Sequence, residues 1–164
     1  MDGVLRVAVT GHRDLSPATA ALIGAAISEQ LRGHAPDILG VSCLAPGADQ
    51  IFAERVLELG GTLKVIVPAR TYGHGLGAGH RRRFHRLLSR AGTVVCLPYE
   101  EATPATYEAA NEALLVDVDL LLAVWDGAPA QGRGGTAEVV DGARQRAIEV
   151  RVLWPEGASR TGRP

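Results

Sequence analysis

The chain has 164 residues, carries 17 Lys and Arg against 18 Asp and Glu, and is 46% hydrophobic. This length and composition suit one globular domain and exclude an intrinsically disordered chain, while the net charge of −1 argues against nucleic acid as a partner. The longest apolar run, Leu120–Trp125, is far shorter than the ~20 residues of a membrane helix, so no membrane association is expected.

Short apolar runs alternate with helical patterns along the chain. Strands are predicted over Val4–Thr10, Ile38–Cys43, Leu63–Val67, Thr93–Leu97, Leu120–Trp125 and Val150–Trp154. Helices are predicted over Pro17–Arg32, Ala48–Leu59, Pro104–Val116 and Gly135–Ala147, with an Arg-rich helix after residue 79. Ser16 and Pro17 form a typical helix start, an N-cap followed by proline.

Continuous apolar strands separated by helices are typical of a parallel sheet that is covered on both faces. We therefore predict a single Rossmann-like doubly wound α/β domain over residues 1–154, with about six strands and a flexible C-terminal tail over residues 155–164. In such folds the ligand binds beyond the carboxyl ends of the strands, where the strand order reverses.

The first candidate loop, Thr10–Asp14, follows the first strand. It matches neither the dinucleotide fingerprint nor the Walker A loop. Gly11 allows close backbone approach, His12 and Arg13 follow it, and the next helix start offers N–H groups to an anion. Arg13 is either a bidentate phosphate ligand or a solvated side chain.

The second candidate loop, Ser42–Asp49, joins the second strand to its helix. Ala45 and Gly47 are small enough to bring this helix close to a ligand. Asp49 falls in the first helical turn, where its negative charge interacts favourably with the helix dipole. Two other roles are open for the Asp49 side chain: it accepts a hydrogen bond from a ribose or base, or it holds this loop against the next one.

The third candidate loop follows the strand that ends at Trp125. Asp126 begins it, and a Gly-rich segment then leads into the last helix; the ligand-binding candidates of this loop are Asp126, Gly132, Gly134, Gly135 and Thr136. This arrangement predicts an anion cradle that resembles a P-loop without its lysine. Glu138 lies in the first turn of that helix, where it also suits the helix dipole.

A basic stretch is the fourth feature, because no acidic residue occurs from Leu59 to Tyr99. Its most concentrated part is Arg81, Arg82 and Arg83, which follow the Gly-rich segment 72–79. A lid over phosphates and a solvated helix face are both open interpretations, and a nucleic-acid patch is a weaker one because no series of aromatic residues accompanies it. His80 and His85 do not have zinc-ligand spacing, so no metal site is predicted.

The loops together carry a family resemblance. Ser42-x-x-Ala45-x-Gly47-x-Asp49 resembles the S-G-x-A-x-G-x-D loop of DNA-processing protein A and its relatives in the SLOG superfamily. The Gly11-His12-Arg13 and Gly134-Gly135-Thr136-x-Glu138 loops fit the same group, which includes the LOG phosphoribohydrolases and the YpsA-type proteins. The resemblance implies a nucleotide-binding Rossmann-like protein and a homodimer.

Two positions depart from the family pattern. Cys43 replaces a glycine in the second loop, and we interpret it as a small buried thiol. Thr136 and Glu138 have one residue between them where the LOG pattern has two, which turns Glu138 by ~100° around the helix. We therefore predict binding of a nucleotide or a nucleotide-derived ligand, without a required cofactor. The alternative is a LOG-like hydrolase of nucleoside monophosphates, with Glu138 and Asp126 as its catalytic carboxylates.

Two further patterns bear on location. No apolar leader opens the chain, and Cys43 and Cys96 do not form a disulfide framework. We therefore expect a cytoplasmic protein with free thiols.

Overall fold

A computed structural model describes residues 3–129 and 135–161. Its strands are β1 (Leu5–Gly11), β2 (Ile38–Ser42), β3 (Thr62–Val67), β4 (Thr93–Cys96), β5 (Leu120–Val124) and β6 (Glu149–Val152). Its α-helices are α1 (Pro17–Leu31), α2 (Ala48–Glu58), α3 (Ala78–Leu88), α4 (Pro104–Leu114) and α5 (Thr136–Gln145), with short 3₁₀ turns at Arg32–His34 and Tyr72–Gly75.

Local sequence signals explain several helix ends. The Ser16 side chain accepts a hydrogen bond from the Thr19 N–H at 3.1 Å, and Pro17 occupies the first helical position of α1 as predicted. Thr103 and Thr106 form a reciprocal capping box at the start of α4. Each cap satisfies N–H groups that the helix itself leaves free.

All six strands are parallel and lie in the order β4-β3-β2-β1-β5-β6. The order reverses between β1 and β5, which pair from Val7 with Leu120 to Gly11 with Val124. The predicted Rossmann-like doubly wound fold is therefore confirmed. Its switch point lies at the carboxyl ends of β1 and β5, where the first and third candidate loops begin.

Apolar side chains form one cluster on each face of the sheet. On one face Val7 and Val9 of β1 pack with side chains of α1, α2 and α3, including Ile23, Phe52 and Phe84. On the other face Ala8 packs with α4 and α5, including Leu114, Val140 and Ala143. The alternation along β1 shows why its sequence is continuously apolar, since both faces are covered. Within the described ranges, no helix has the length and apolar character needed to span a bilayer.

Candidate functional site

A cavity of about 430 Å³ lies at the switch point of the sheet. Its volume falls within the usual range for small-molecule sites, roughly 300–1,000 Å³. The lining residues come from the end of β1, from the segments after β1, β2, β3 and β5, and from α4, α5 and the C-terminal segment. Those that matter below are Gly11, His12, Arg13, Asp14, Cys43, Ala45, Asp49, Tyr72, Tyr107, Asn111, Trp125, Gly135, Thr136, Ala137 and Arg160.

Gly11 fixes how closely the first loop approaches its neighbours. A Cβ at this position would lie 2.6 Å from the Ala48 Cβ and 2.7 Å from the Val124 Cβ, so any other residue would push α2 and β5 away. The backbone continues this contact, because the His12 N–H donates to the Val124 carbonyl at 3.1 Å. Gly11 therefore serves packing at the edge of the cavity.

His12 is a buried, neutral side chain that ties the first loop to the third. Its Nε2 lies 3.2 Å from both the N–H and the Oδ1 of Asp126, and these two contacts require opposite protonation states of Nε2. Burial, with the nearby Arg160 guanidinium, lowers the pKa of His12 below its ordinary value. We therefore assign the neutral ring, with Nε2 accepting from the Asp126 N–H.

Asp49 holds the second loop from inside. Its carboxylate accepts a hydrogen bond from the Ala45 N–H at 3.3 Å, while only 8% of the residue is exposed. Burial raises the pKa of Asp49 to about 7, although the Ala45 N–H, the Arg13 guanidinium and the Cys43 N–H act to lower it. Burial also raises the pKa of the Cys43 thiol, which fits an unreactive sulfur.

Two further buried side chains shape this loop. The Ser42 Oγ accepts from the Leu44 N–H at 3.0 Å and stabilises Leu44 in the left-handed region, at φ 56°. The Gln50 amide donates to the Leu44 carbonyl at 3.1 Å and to the His80 carbonyl at 3.2 Å, which joins the loop to α3. The chain path of the second loop is thus fixed by three polar side chains: Ser42, Asp49 and Gln50.

Gly47 is the N-cap of α2 and packs against the first loop. It has φ +80°, and a Cβ there would lie 2.6 Å from the His12 carbonyl oxygen. The Ala48 N–H donates to that same oxygen at 3.2 Å. Gly47 lies outside the lining of the switch-point cavity and borders a second open cavity, beside Arg13 and Glu54.

Arg13 lies at the end of the cavity near β2 and β3. Its guanidinium carbon is 5.7 Å from the centre of the Tyr107 ring. Burial acts to lower its pKa, but Tyr72, Tyr107 and Asp49 together raise it, so the side chain is charged. The Tyr72 hydroxyl is buried and, among the described residues, has no hydrogen-bond partner.

The third loop is described only in part. Gly135 is the N-cap of α5 and Thr136 its first residue, and both line the cavity with Ala137. The predicted ligands Gly132 and Gly134 lie outside the described residues.

The two carboxylates of the hydrolase alternative lie beside the cavity. Neither Asp126 nor Glu138 is among the described lining residues. The Asp126 Oδ1 accepts from the Ala128 N–H at 2.9 Å. Although burial acts to raise it, this bond and the Arg160 charge hold the pKa of Asp126 below its usual value. Glu138 is an exposed residue in the first turn of α5.

The arginines of α3 also lie away from the described lining. Arg81 donates to the His74 carbonyl at 3.0 Å, while Arg83 forms an ion pair with Glu54 of α2 at 2.9 Å. Arg82 is exposed. In place of a lid over the cavity, the structure puts Arg83 and His80 beside the second cavity, of about 470 Å³.

Sequence reasoning missed several lining residues outside the three candidate loops, among them Tyr72, Tyr107, Asn111 and Arg160. Tyr72 and Tyr107 belong to segments that carry no binding motif. Their aromatic rings, which can stack on a ligand, were the only signal of a role in the site. Arg160 lies in the predicted tail, and a lone cation there gives no local sign that the segment folds back.

Comparisons with known proteins show the fold. No family model and no curated protein matches the sequence. DNA processing protein A (DprA) from Streptococcus pneumoniae matches with a TM-score of 0.71 at 19% identity, over 94% of this chain and 52% of that one. DprA from Helicobacter pylori matches with a TM-score of 0.69 at 17% identity, over 97% and 70%. The Moco carrier protein of Chlamydomonas reinhardtii matches with a TM-score of 0.57 at 16% identity, over 93% of this chain and 79% of that one.

At identities of 16–19% these matches show that the chain shares its fold with DNA processing protein A, the protein whose loop the sequence resembles. The chain spans about half of the S. pneumoniae protein. One expectation is wrong: a net charge near zero does not exclude nucleic acid, because the H. pylori protein is described by its single-stranded DNA binding mode. Local charge on a surface governs such binding, and net charge does not report it. The homodimer and the cytoplasmic location stay predictions.

Proposed function

We propose that this chain binds a nucleotide or a nucleotide-derived ligand in the switch-point cavity. The observation that carries the proposal is the start of α5, where Gly135, Thr136 and Ala137 line the cavity directly beyond β5. A helix N-terminus offers N–H groups and a partial positive charge, which suits a phosphate.

The opposite end of the cavity suits a base and a ribose. Tyr72 and Tyr107 line it beside Arg13, and Val9, Ala110 and Leu114 add apolar surface to the cavity as a whole. Asp49 and Arg13 supply a hydrogen-bond acceptor and a donor among these rings. A flat, apolar base with polar edges matches a wall that combines aromatic rings with a few polar groups.

Binding is favoured over hydrolysis of an N-glycosidic bond. That reaction needs a carboxylate near the sugar, and the candidates Asp126 and Glu138 lie outside the described lining. Of the acids that do line the cavity, Asp14 is paired with Arg160 and Asp49 accepts the Ala45 N–H. Both carboxylates therefore already have a structural task.

Single-stranded nucleic acid is the second candidate ligand. The DprA neighbour from H. pylori favours it, together with the exposed Arg82 and Arg90 on and just after α3. A single-stranded nucleic acid with one nucleotide in the cavity can extend its phosphate backbone toward this basic helix, whereas a mononucleotide cannot. Both candidates share the same cavity and differ in whether α3 takes part.

Blocking the cavity tests the proposal. Ala137 and Ala105 occupy the second helical position of α5 and α4, but Ala105 is exposed and lies outside the lining. We expect Ala137→Trp to weaken binding of nucleoside monophosphates at least about tenfold by filling the anion end, and Ala105→Trp to leave it unchanged. Calorimetry with a panel of monophosphates measures both. If every ligand of the panel fails to bind the wild type, or Ala137→Trp binds normally, the proposal is wrong.

A further inference from the structure

The C-terminal segment is docked against the first loop and the start of α1. The Ser159 N–H donates to the Thr19 Oγ1 at 2.9 Å, and the Thr161 N–H donates to the Asp14 carbonyl at 2.7 Å. Leu15 and Arg160 form an isolated antiparallel bridge between them. These contacts hold the backbone of Arg160 beside the cavity, so the side chain enters the site from outside the sheet.

Arg160 joins the loops that follow β1 and β5. Its Nε donates to both Asp14 carboxylate oxygens, at 2.8 and 3.0 Å, and its Nη1 lies 3.9 Å from the Asp126 Oδ2. The side chain is 18% exposed and lines the cavity. Asp14 follows β1 and Asp126 follows β5, so the guanidinium spans the crevice of the switch point.

The pairing with Asp14 orients Arg160 and leaves it donors for a ligand. Within the described residues, the hydrogen bonds of this side chain come from Nε, and the contact to Asp126 is too long for one. An arginine carries five N–H donors in a rigid fork, so its Nη groups can bind an anion while Nε keeps its carboxylate. A guanidinium that is already held in place loses less entropy on binding than a free one.

We propose that Arg160 binds the ligand's phosphate together with the first turn of α5, so that the C-terminal segment forms part of the binding site. This inference rests on the proposed function and specifies its anion end. The other lining arginine, Arg13, lies over Tyr107 at the end near β2 and β3. Arg160 lies at the β1–β5 crevice and lines the same cavity as Gly135, Thr136 and Ala137 of the α5 start.

Replacing the guanidinium by a neutral amide tests this inference. We expect Arg160→Gln to weaken binding of a nucleoside 5′-monophosphate about tenfold or more. The affinity for the matching nucleoside should change less than about twofold, since only the phosphate contacts the guanidinium group. Arg160→Lys should recover part of the loss because it restores the charge without the fork. The control is Arg151→Gln, which removes a β6 arginine paired with Glu149 and Gln30.

The outcomes separate the inference from the proposed function. If the wild type binds neither compound, the proposed function fails and the inference falls with it. If the wild type binds the monophosphate and Arg160→Gln binds it equally well, only the inference is overturned. Equal weakening of nucleoside and monophosphate also overturns it, because that result means the arginine only docks the segment.

Discussion

Asp49 illustrates how one side chain combines roles that its sequence position left open. The residue lies in the first turn of α2, where a carboxylate suits the helix dipole, and it also accepts a hydrogen bond from the Ala45 N–H inside the second loop. Its carboxylate is buried beside Arg13, and burial outweighs these favourable contacts in setting its pKa. The loop that forms one wall of the cavity is therefore held by a group that titrates near neutral pH.

This gives a pH-dependent stability with a definite sign. Because the pKa of Asp49 is about 7 in the folded chain and 3.8 is its ordinary value, the folded state holds the proton more tightly. The stability from this group is fully present below pH 3.8 and is lost as pH rises through 7. Relative to Asp49→Asn, the wild type should lose about 2–3 kcal/mol between pH 5 and 8.

Urea unfolding of both proteins across this pH range measures that difference. His12 and every other titrating group occur in both proteins and cancel in the comparison. A difference in unfolding free energy that stays constant from pH 5 to 8 would contradict the raised pKa of Asp49.

Site residues were predictable where a local motif demanded them. All of the following lie at a strand end, in the loop after a strand or in the first turn of a helix, and all line the cavity: Gly11, Arg13, Ala45, Asp49, Gly135 and Thr136. Tyr107 and Arg160 reach it through contacts between segments far apart in sequence, which no local pattern encodes. Gly47 shows the opposite case, since its motif was visible but its role is to pack against the His12 carbonyl.

At the scale of elements, the bounds of strands and helices were predictable to within one or two residues, because caps and apolar runs are local signals. Helix α1 begins at Pro17 as its Ser16 cap predicts, and β5 ends one residue before Trp125. The strand order was not predictable in the same way. The order depends on which strands pair with each other, and all six strands have similar short apolar sequences.

Helix α3 shows why a basic run does not identify a ligand site. Arg83 and Arg86 both form ion pairs with Glu54 of α2, at 2.9 and 3.4 Å. Part of the positive charge of α3 therefore holds this helix against α2. Glu54 lies outside the acid-free stretch, so the pairing joins two elements and no local sequence pattern indicates it. Arg82 is exposed, so its guanidinium is accessible to a partner in solution.

Arg82 therefore distinguishes the two candidate ligands. If a single-stranded oligonucleotide crosses α3, Arg82→Ala should weaken its binding a few-fold and reduce the salt slope by about 1, while mononucleotide affinity stays unchanged. The control is Arg144→Ala, which removes an exposed arginine from the last turn of α5, on the other face of the sheet. Fluorescence anisotropy with an oligothymidylate at several salt concentrations measures the effect. An oligonucleotide that binds with the same affinity and salt slope after Arg82→Ala excludes this path.

For the whole molecule, the fold explains why distant segments meet in one cavity. Parallel strands deliver their following loops to the same edge of the sheet, and the reversal between β1 and β5 opens a crevice between them. The C-terminal segment then returns to this edge through Ser159 and Thr161. A net charge of −1 hides this organisation, because cations and carboxylates lie side by side at the site.

Occupation of the switch-point cavity by a nucleotide can be followed residue by residue in solution. A chain of 17.2 kDa suits two-dimensional ¹H–¹⁵N NMR, so amide shifts can be followed while a nucleoside 5′-monophosphate is added. We predict saturable shifts at Gly11–Arg13, at Gly135–Ala137 and at the Arg160 side chain, with the matching nucleoside leaving Gly135–Ala137 and Arg160 almost unmoved. Saturable shifts that spare all of these positions, or no shifts at millimolar ligand for any of the four common bases, would contradict nucleotide binding in this cavity.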